Sequence, residues 1–127
     1  METPITIEAL GRRHHVRLPD FAAREELAVA YSEACRRRGV TLLRACAAIL
    51  GLCTRLGTEA GADYARHRFD ALSYGGEMYS WLRQQGMTPA DVTTQAILVL
   101  GPLTQALAPR EEEVVARLGE SGAGGGR

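Results

Sequence analysis

The sequence contains no lysine and no asparagine, so every basic side chain other than histidine is an arginine. Acidic residues and arginines are equal in number, at 15 each, and the formal net charge is zero. No overall electric field therefore directs the chain toward nucleic acid or an anionic membrane. Any binding that depends on charge must be local.

The cysteines and histidines do not form a pattern typical of metal ligands. The cysteines have no CxxC spacing, and we interpret them as small core residues in a reducing compartment. His14 and His15 point to opposite faces of a predicted strand and cannot chelate one ion together, so we interpret them as surface residues. We expect neither a metal nor a cofactor. The three cysteines are Cys35, Cys46 and Cys53.

Sequence signals for export, membrane insertion and catalysis are also missing. No basic segment is followed by an apolar run, and no stretch approaches membrane-spanning length, so we expect a cytoplasmic protein. Gly124–Gly126 do not lead into a helix, which excludes a phosphate-binding loop. His67 is the only plausible general base outside the first nineteen residues, and no nucleophile pattern accompanies it. We therefore expect that the protein is not an enzyme.

The first nineteen residues predict a β-hairpin in a chain whose remaining pattern is helical. An isolated hairpin is only marginally stable in water, so its apolar face must lie on the helices, on a partner chain, or on both. A two-residue turn at Gly11-Arg12 places the larger apolar side chains on one face. The pairs in that register are Ile5 with Leu18, Ile7 with Val16, and Ala9 with His14.

Capping signals and apolar periodicity predict the helices. Asp20 and Asp70 are predicted N-caps, and Thr88 to Asp91 predict a capping box with Pro89 at the first helical position. The second helix is apolar around most of its circumference and should be the buried central element, with Gly51 at a close contact. A kink or break is expected at Gly101-Pro102. The predicted helices span Asp20 to Arg38, Thr41 to about Leu56, Asp70 to Gln85, Pro89 onward, and 109–119. A short helical turn is predicted around 63–67.

These elements predict a mainly α fold: an N-terminal two-stranded β-hairpin, a bundle of four to five helices and a disordered, glycine-rich C-terminal tail. The length favours one domain. We predict that residues 1–119 form it, with the hairpin at 1–19 and the helices at 20–119. Residues 120–127 form the predicted flexible tail.

Binding to another polypeptide is the function that this pattern favours. A hairpin with an apolar face can extend a sheet in a partner or in another copy, and aromatic residues are common at interfaces. Completion of the monomer's own core is the alternative explanation for the same residues. The candidate partner-binding residues are Ile5, Ile7, Val16 and Leu18 of the hairpin and Tyr79 and Trp81 of the third helix.

Nucleic-acid binding is the competing interpretation. Arg36–Arg38 lie between the first two helices, and the hairpin carries Arg12, Arg13 and Arg17. The first two helices loosely resemble a helix-turn-helix, but the second is too apolar to read base edges. We therefore expect nucleic-acid binding to be the less favoured function.

The order of these elements resembles the small tail assembly chaperones of tailed double-stranded-DNA phages and prophages. The resemblance lies in the opening ribbon ITIEALGRRHHVRLP, the segment PDFAAREELAVAY, the segment YGGEMYSWLRQQGMTPADV, and the closing charged helix with its glycine tail. It implies a non-enzymatic protein of the host cytoplasm that binds the tape-measure protein while tail-tube protein polymerises around it, and it is compatible with a homo-oligomer. A small DNA-binding regulator or another phage accessory protein is the alternative.

Overall fold

The computed structural model describes residues 5–107, which are mostly helical and begin with a two-stranded antiparallel hairpin. This confirms the predicted fold class. The predicted helix at 109–119, the tail at 120–127 and the domain limit at residue 119 lie outside the described residues. The elements are β1 (Thr6–Ala9), β2 (Arg12–His15), α1 (Phe21–Arg37), α2 (Gly39–Cys53), α3 (Leu56–Ala60), α4 (Ala71–Gln84) and α5 (Pro89–Leu107).

The hairpin turns at Leu10-Gly11, so the predicted turn at Gly11-Arg12 was wrong. Leu10 and Gly11 both have positive φ, at 55° and 73°, as a type I′ turn requires. Leucine rarely adopts this conformation, so the residue type at position 10 did not indicate the turn. The register shifts by two residues, so the same side chains still share one face. The observed pairs are Thr6 with His15, Ile7 with His14, Glu8 with Arg13, and Ala9 with Arg12.

The inner face of the hairpin packs on the helices. Ile7 and Ala9 are buried in the common core, and so is His14, whose Nε2 lies 3.1 Å from the carbonyl oxygen of Ala9. The prediction of a surface position for His14 was therefore wrong, because the histidine shares its face with Ile7. Two backbone N–H groups, one in the hairpin and one just after it, donate hydrogen bonds to the helices. Glu8 N donates to Gln95 Oε1 at 3.0 Å, and Arg17 N donates to the Cys53 carbonyl at 2.8 Å.

The predicted caps are confirmed at α1, α4 and α5. Asp20 Oδ1 accepts from Ala23 N at 2.9 Å, and Asp70 Oδ1 accepts from the N–H groups of Leu72 and Ser73. Before α5, Thr88 and Asp91 form a reciprocal pair, in which each backbone N–H donates to the other's side chain. The bond from the Thr88 backbone N–H and, after it, the nearby Thr88 hydroxyl favour the charged carboxylate and lower the pKa of Asp91.

Helix α2 is the central element, as its composition predicted. It packs against α1, α3, α4 and α5, and its residues from Ala45 to Gly51 are all buried. A Cβ at Gly51 would lie 2.6 Å from the Tyr74 hydroxyl, and one at Gly75 on α4 would overlap the Arg44 carbonyl. The two helices therefore meet at glycine positions where their surfaces touch directly.

The limits of the second helix and the continuity of α5 differ from the predictions. Helix α2 begins at Gly39, slightly before the predicted start near Thr41. Helix α2 ends at Cys53, not near Leu56, because Thr54 is extended and its hydroxyl accepts from Leu56 N at the start of α3. A short helix that was not predicted separately, α3, follows Thr54. The turn predicted around 63–67 is present, because His67 N donates to the Tyr64 carbonyl and Arg68 N to the Ala65 carbonyl. Pro102 does not end α5, so no break occurs there. The carbonyl that Pro102 leaves without a partner belongs to Leu98, an exposed residue, where water can solvate it.

The cysteines divide between core and surface. Cys46 and Cys53 are buried as predicted, and burial raises their pKa values to about 11 and about 12. Cys35 is exposed near the end of α1, so its assignment to the core was wrong. Ala34, the next residue on the helix, takes the inward position.

Candidate functional site

The outer face of α5 carries no charge, whereas the exposed face of a surface helix normally does. The inner stripe of the helix is buried, at Val92, Ala96, Val99 and Leu103. On the opposite side, Ile97 and Leu98 are 53% and 50% exposed. Exposed positions around them define what we term the α5 face: Thr94, Ile97, Leu98, Gly101, Thr104 and Gln105.

No charged residue occurs on α5 after Asp91. The hydroxyl of Thr104 donates to the Leu100 carbonyl at 2.8 Å, so part of its hydrogen-bonding capacity is used within the helix. Surface helices of globular proteins carry charged residues opposite their apolar stripe. Depletion of charge around large apolar side chains is instead typical of the centre of a protein interface. The α5 face has this second composition.

The candidate residues of the hairpin occupy three environments. Ile7 is buried, while Val16 and Leu18 are half-buried against the core. Ile5 is 41% exposed. In the folded monomer, Ile5 is therefore the hairpin candidate with the largest accessible fraction of its surface.

Tyr79 and Trp81 on α4 are half-buried and pack against the core. Helix α4 packs chiefly on α2, whereas the hairpin packs on α5 and on the end of α2. Packing against the monomer's own core therefore explains the buried part of the Tyr79 and Trp81 side chains. Their use in partner binding remains a prediction, as does that of the hairpin residues.

A basic groove of about 440 Å³ lies between the hairpin and α3. Arg12 forms an ion pair with Glu59 across the groove. Arg13 forms a second one, in which its Nε lies 3.7 Å from Glu8 Oε1. Arg17 and Arg55 form no ion pair with the described residues. The residues lining the groove are Arg12, Arg13, His14, His15, Arg17, Arg55, Thr58 and Glu59.

His67 lies between a serine and a carboxylate. Its Nδ1 is 2.8 Å from Ser73 Oγ, and its Nε2 is 2.5 Å from Glu77 Oε2. These residue types also form hydrolase triads, but the N–H groups of Leu72 and Ser73 already donate to Asp70. They are therefore not free to stabilise an oxyanion beside Ser73. The observed contacts attach the loop after α3 to α4.

Residues 5–107 bring together no group of three or more histidine, cysteine, aspartate or glutamate residues that could hold a metal ion. The helices of this part of the chain include none with the length and apolarity needed to cross a membrane. Comparison with models of known protein families, with curated proteins and with solved structures finds no match.

The sequence analysis did not predict the α5 face, because it considered only the apolar residues on the inner stripe of that helix. A signal was present, since Ile97 and Leu98 fall outside the stripe and no charge interrupts the segment from Val92 to Leu107. The proximity of His67 to Ser73 and Glu77 had no comparable signal. It depends on the conformation of the loop.

Proposed function

We propose that this chain is a non-enzymatic tail assembly chaperone of a tailed double-stranded-DNA phage or prophage. In this role it binds hydrophobic helical segments of the tape-measure protein and assists assembly of the tail tube. The proposal combines the resemblance in element order with one structural observation, the charge-free α5 face. An uncharged surface with two large exposed apolar side chains is suited to covering the apolar stripe of a helix in another polypeptide.

Three further features support this proposal. Ile97 and Leu98 are adjacent in sequence and large enough to act as anchors in a groove between two helices. Ile5 adds a further exposed apolar side chain on the hairpin. The N–H groups of Leu72 and Ser73 donate to Asp70, so they are not available to stabilise an oxyanion. This favours a binding function over hydrolysis.

The proposal predicts that a gene near this one encodes a long, coil-rich tape-measure protein, and the direct test is co-expression with that protein. The wild-type chain should keep that protein soluble and co-purify with it. The double variant Ile97→Glu/Leu98→Glu should recover at least about tenfold less of it, because two charges would have to be desolvated in the interface.

Val29→Glu is the matched control, because Val29 is an exposed apolar residue on α1, outside the α5 face. It should retain the partner at the wild-type level. Equal recovery with the double variant and the wild type would contradict the proposed binding surface. Circular dichroism and melting temperature show whether each variant is folded.

A second candidate function, a small DNA-binding regulator, is favoured by the basic groove. Arg17 and Arg55 line this groove, and arginine side chains there would contact phosphates in a duplex. Such a regulator should bind duplex DNA with an affinity that falls steeply as salt increases, and Arg17→Ala/Arg55→Ala should reduce that binding. The chaperone proposal expects no duplex binding at physiological salt.

A further inference from the structure

A second concave site lies on a different part of the molecule, between the start of α1 and the loop that precedes α4. Its volume is about 480 Å³. We term it the aromatic pocket. It is lined by Asp20, Ala22, Ala23, Glu26, Tyr64 and Phe69.

One wall of the aromatic pocket consists of two rings at a steep angle. Tyr64 and Phe69 have centroids 5.3 Å apart and planes at 86°. Tyr64 also packs edge-on against Tyr74, a buried residue of α4, with centroids 5.5 Å apart. The Tyr64 ring is therefore held from behind, while Phe69 remains 61% exposed.

The backbone that presents Phe69 is in an unfavourable conformation. Arg68 and Phe69 have φ values of 56° and 59°, in the left-handed region that side chains with a Cβ seldom adopt. Two consecutive residues of this kind store strain, and such strain is concentrated at binding and active sites. In this protein the strained segment presents an aromatic ring to solvent instead of burying it.

The opposite wall of the aromatic pocket is acidic and comes from α1. Asp20 uses Oδ1 to cap the helix, and neither Asp20 nor Glu26 forms an ion pair with a described residue. Arg24, between them in sequence, donates through Nε to the Pro19 carbonyl and does not line the pocket. Burial, together with the charges of Glu26, Asp70 and Asp20, raises the pKa of Tyr64 to about 12. The two carboxylates make this wall of the pocket negative, because their full charges exceed the roughly half a positive charge at the start of α1. No arginine of the described residues lines the pocket.

We propose that the aromatic pocket binds the guanidinium group of an arginine side chain presented by another polypeptide. A guanidinium is a planar cation, so its face can stack on Phe69 or Tyr64 while its edge donates to the carboxylates of Asp20 and Glu26. An anion would be repelled by both carboxylates. An ammonium is more strongly hydrated than a guanidinium and lacks its planar face. This inference does not depend on the proposed chaperone function, because it concerns a different surface.

The test is a titration of the full chain with N-acetyl-arginine amide, followed by the aromatic ¹H–¹³C resonances of Tyr64 and Phe69. N-acetyl-citrulline amide is the matched control ligand, because it has nearly the same shape and no charge. We expect saturable shifts of both rings with the arginine compound and binding at least about tenfold weaker with the citrulline compound. Equal binding of the two compounds would overturn the proposal.

Two variants locate the binding within the pocket. Glu26→Gln removes one carboxylate and Phe69→Leu removes one ring while keeping an apolar side chain, and each should weaken binding at least about threefold. Glu25→Gln is the control, because Glu25 is exposed on the same helix and does not line the pocket. An equal loss of affinity with Glu25→Gln would mean that only general charge attraction is present, which overturns the site.

Two more ligands distinguish the chemistry and the source of the cation. Tighter binding of tetramethylammonium than of N-acetyl-arginine amide would overturn the assignment to guanidinium. Tighter binding of free L-arginine would indicate a small metabolite and overturn the assignment to a polypeptide. The α5 variants should leave all these affinities unchanged, so failure of the chaperone proposal and failure of this one are distinguishable.

Discussion

Helices α2 and α5 are similar in composition and different in environment. Both are rich in apolar residues, and α2 carries Arg44 as its only charged residue while α5 carries only Asp91. Neighbouring helices surround α2, and its residues from Ala45 to Gly51 are buried. Helix α5 buries one stripe and leaves Ile97 and Leu98 half exposed. Burial in the core therefore explains why α2 has so few charged residues. It does not explain the same lack of charge on the exposed face of α5.

The comparison shows that low charge in a helix has two physical explanations, which only the packing separates. A buried helix excludes charge because desolvating it is unfavourable. An exposed helix face gains nothing from excluding charge in the isolated monomer, so the stability of the monomer does not explain the composition of the α5 face, whereas the proposed binding surface would. Stability measurements on the two helices test this distinction directly.

The largest expected effect is at the centre of α2. Leu50→Ala should destabilise the protein by about 3 kcal/mol, because it removes buried methyl groups and leaves a cavity. Leu98→Ala makes the same change on the α5 face and should alter the free energy of unfolding by less than about 0.5 kcal/mol. Urea denaturation followed by circular dichroism measures both. A loss at Leu98 as large as that at Leu50 would show that the α5 face is already covered in the isolated protein.

A smaller effect is expected where α2 meets α4. Gly75→Ala should cost about 2 kcal/mol, because its new methyl group would overlap the Arg44 carbonyl. Gly76→Ala is the control on the adjacent position, since the nearest atom to its Cβ would be Arg44 Nε at 3.6 Å, an ordinary contact. That change should be neutral or stabilise the helix by about 0.5 kcal/mol. Thermal melting of the two variants shows whether α2 and α4 are as close as the structure indicates.

The smallest expected effect is at the start of α5 and depends on pH. The pKa of Asp91 lies below its ordinary value of 3.8 because of its bonds to Thr88, so the charged form stabilises the folded state. This stabilisation is complete above pH 3.8 and is lost as pH falls through the lower, folded-state pKa. The melting temperature of Asp91→Asn should therefore lie below that of the wild type near neutral pH.

The difference between Asp91→Asn and the wild type should decrease in strongly acidic solution. Glu25→Gln removes one exposed carboxylate of α1 and controls for the loss of a negative charge. If the Asp91 difference stays constant from neutral to strongly acidic pH, the proposed contribution of its charge to the cap is wrong.

The features that sequence predicted are those set by short-range chemistry. The caps at Asp20 and Asp70 and the pair Thr88–Asp91 depend on side chains within three residues of the N–H groups they bind. Burial of α2 followed from its nearly complete apolar circumference. Gly51 was identified because a glycine within a buried helix indicates a close contact.

The features that sequence did not predict depend on unusual backbone conformations or on distant packing. Leu10 and Phe69 have positive φ although neither residue type favours it, so no local signal placed the hairpin turn or exposed the aromatic ring. The contact of His67 with Glu77 needs the loop and the helix to be folded together. Among the hairpin candidates, Ile7 is buried in the folded monomer, which the sequence did not predict because the pattern gives the face of a strand residue but not the depth of its burial.

The division of the cysteines makes the unmodified protein suitable for attachment of a dye at one defined position. Cys35 is open to a maleimide reagent on the outside of α1, whereas Cys46 and Cys53 are enclosed by the folded core. A fluorophore coupled to Cys35 would report rotational slowing when a large molecule associates, without replacement of any residue. The native chain can therefore serve as its own sensor of association.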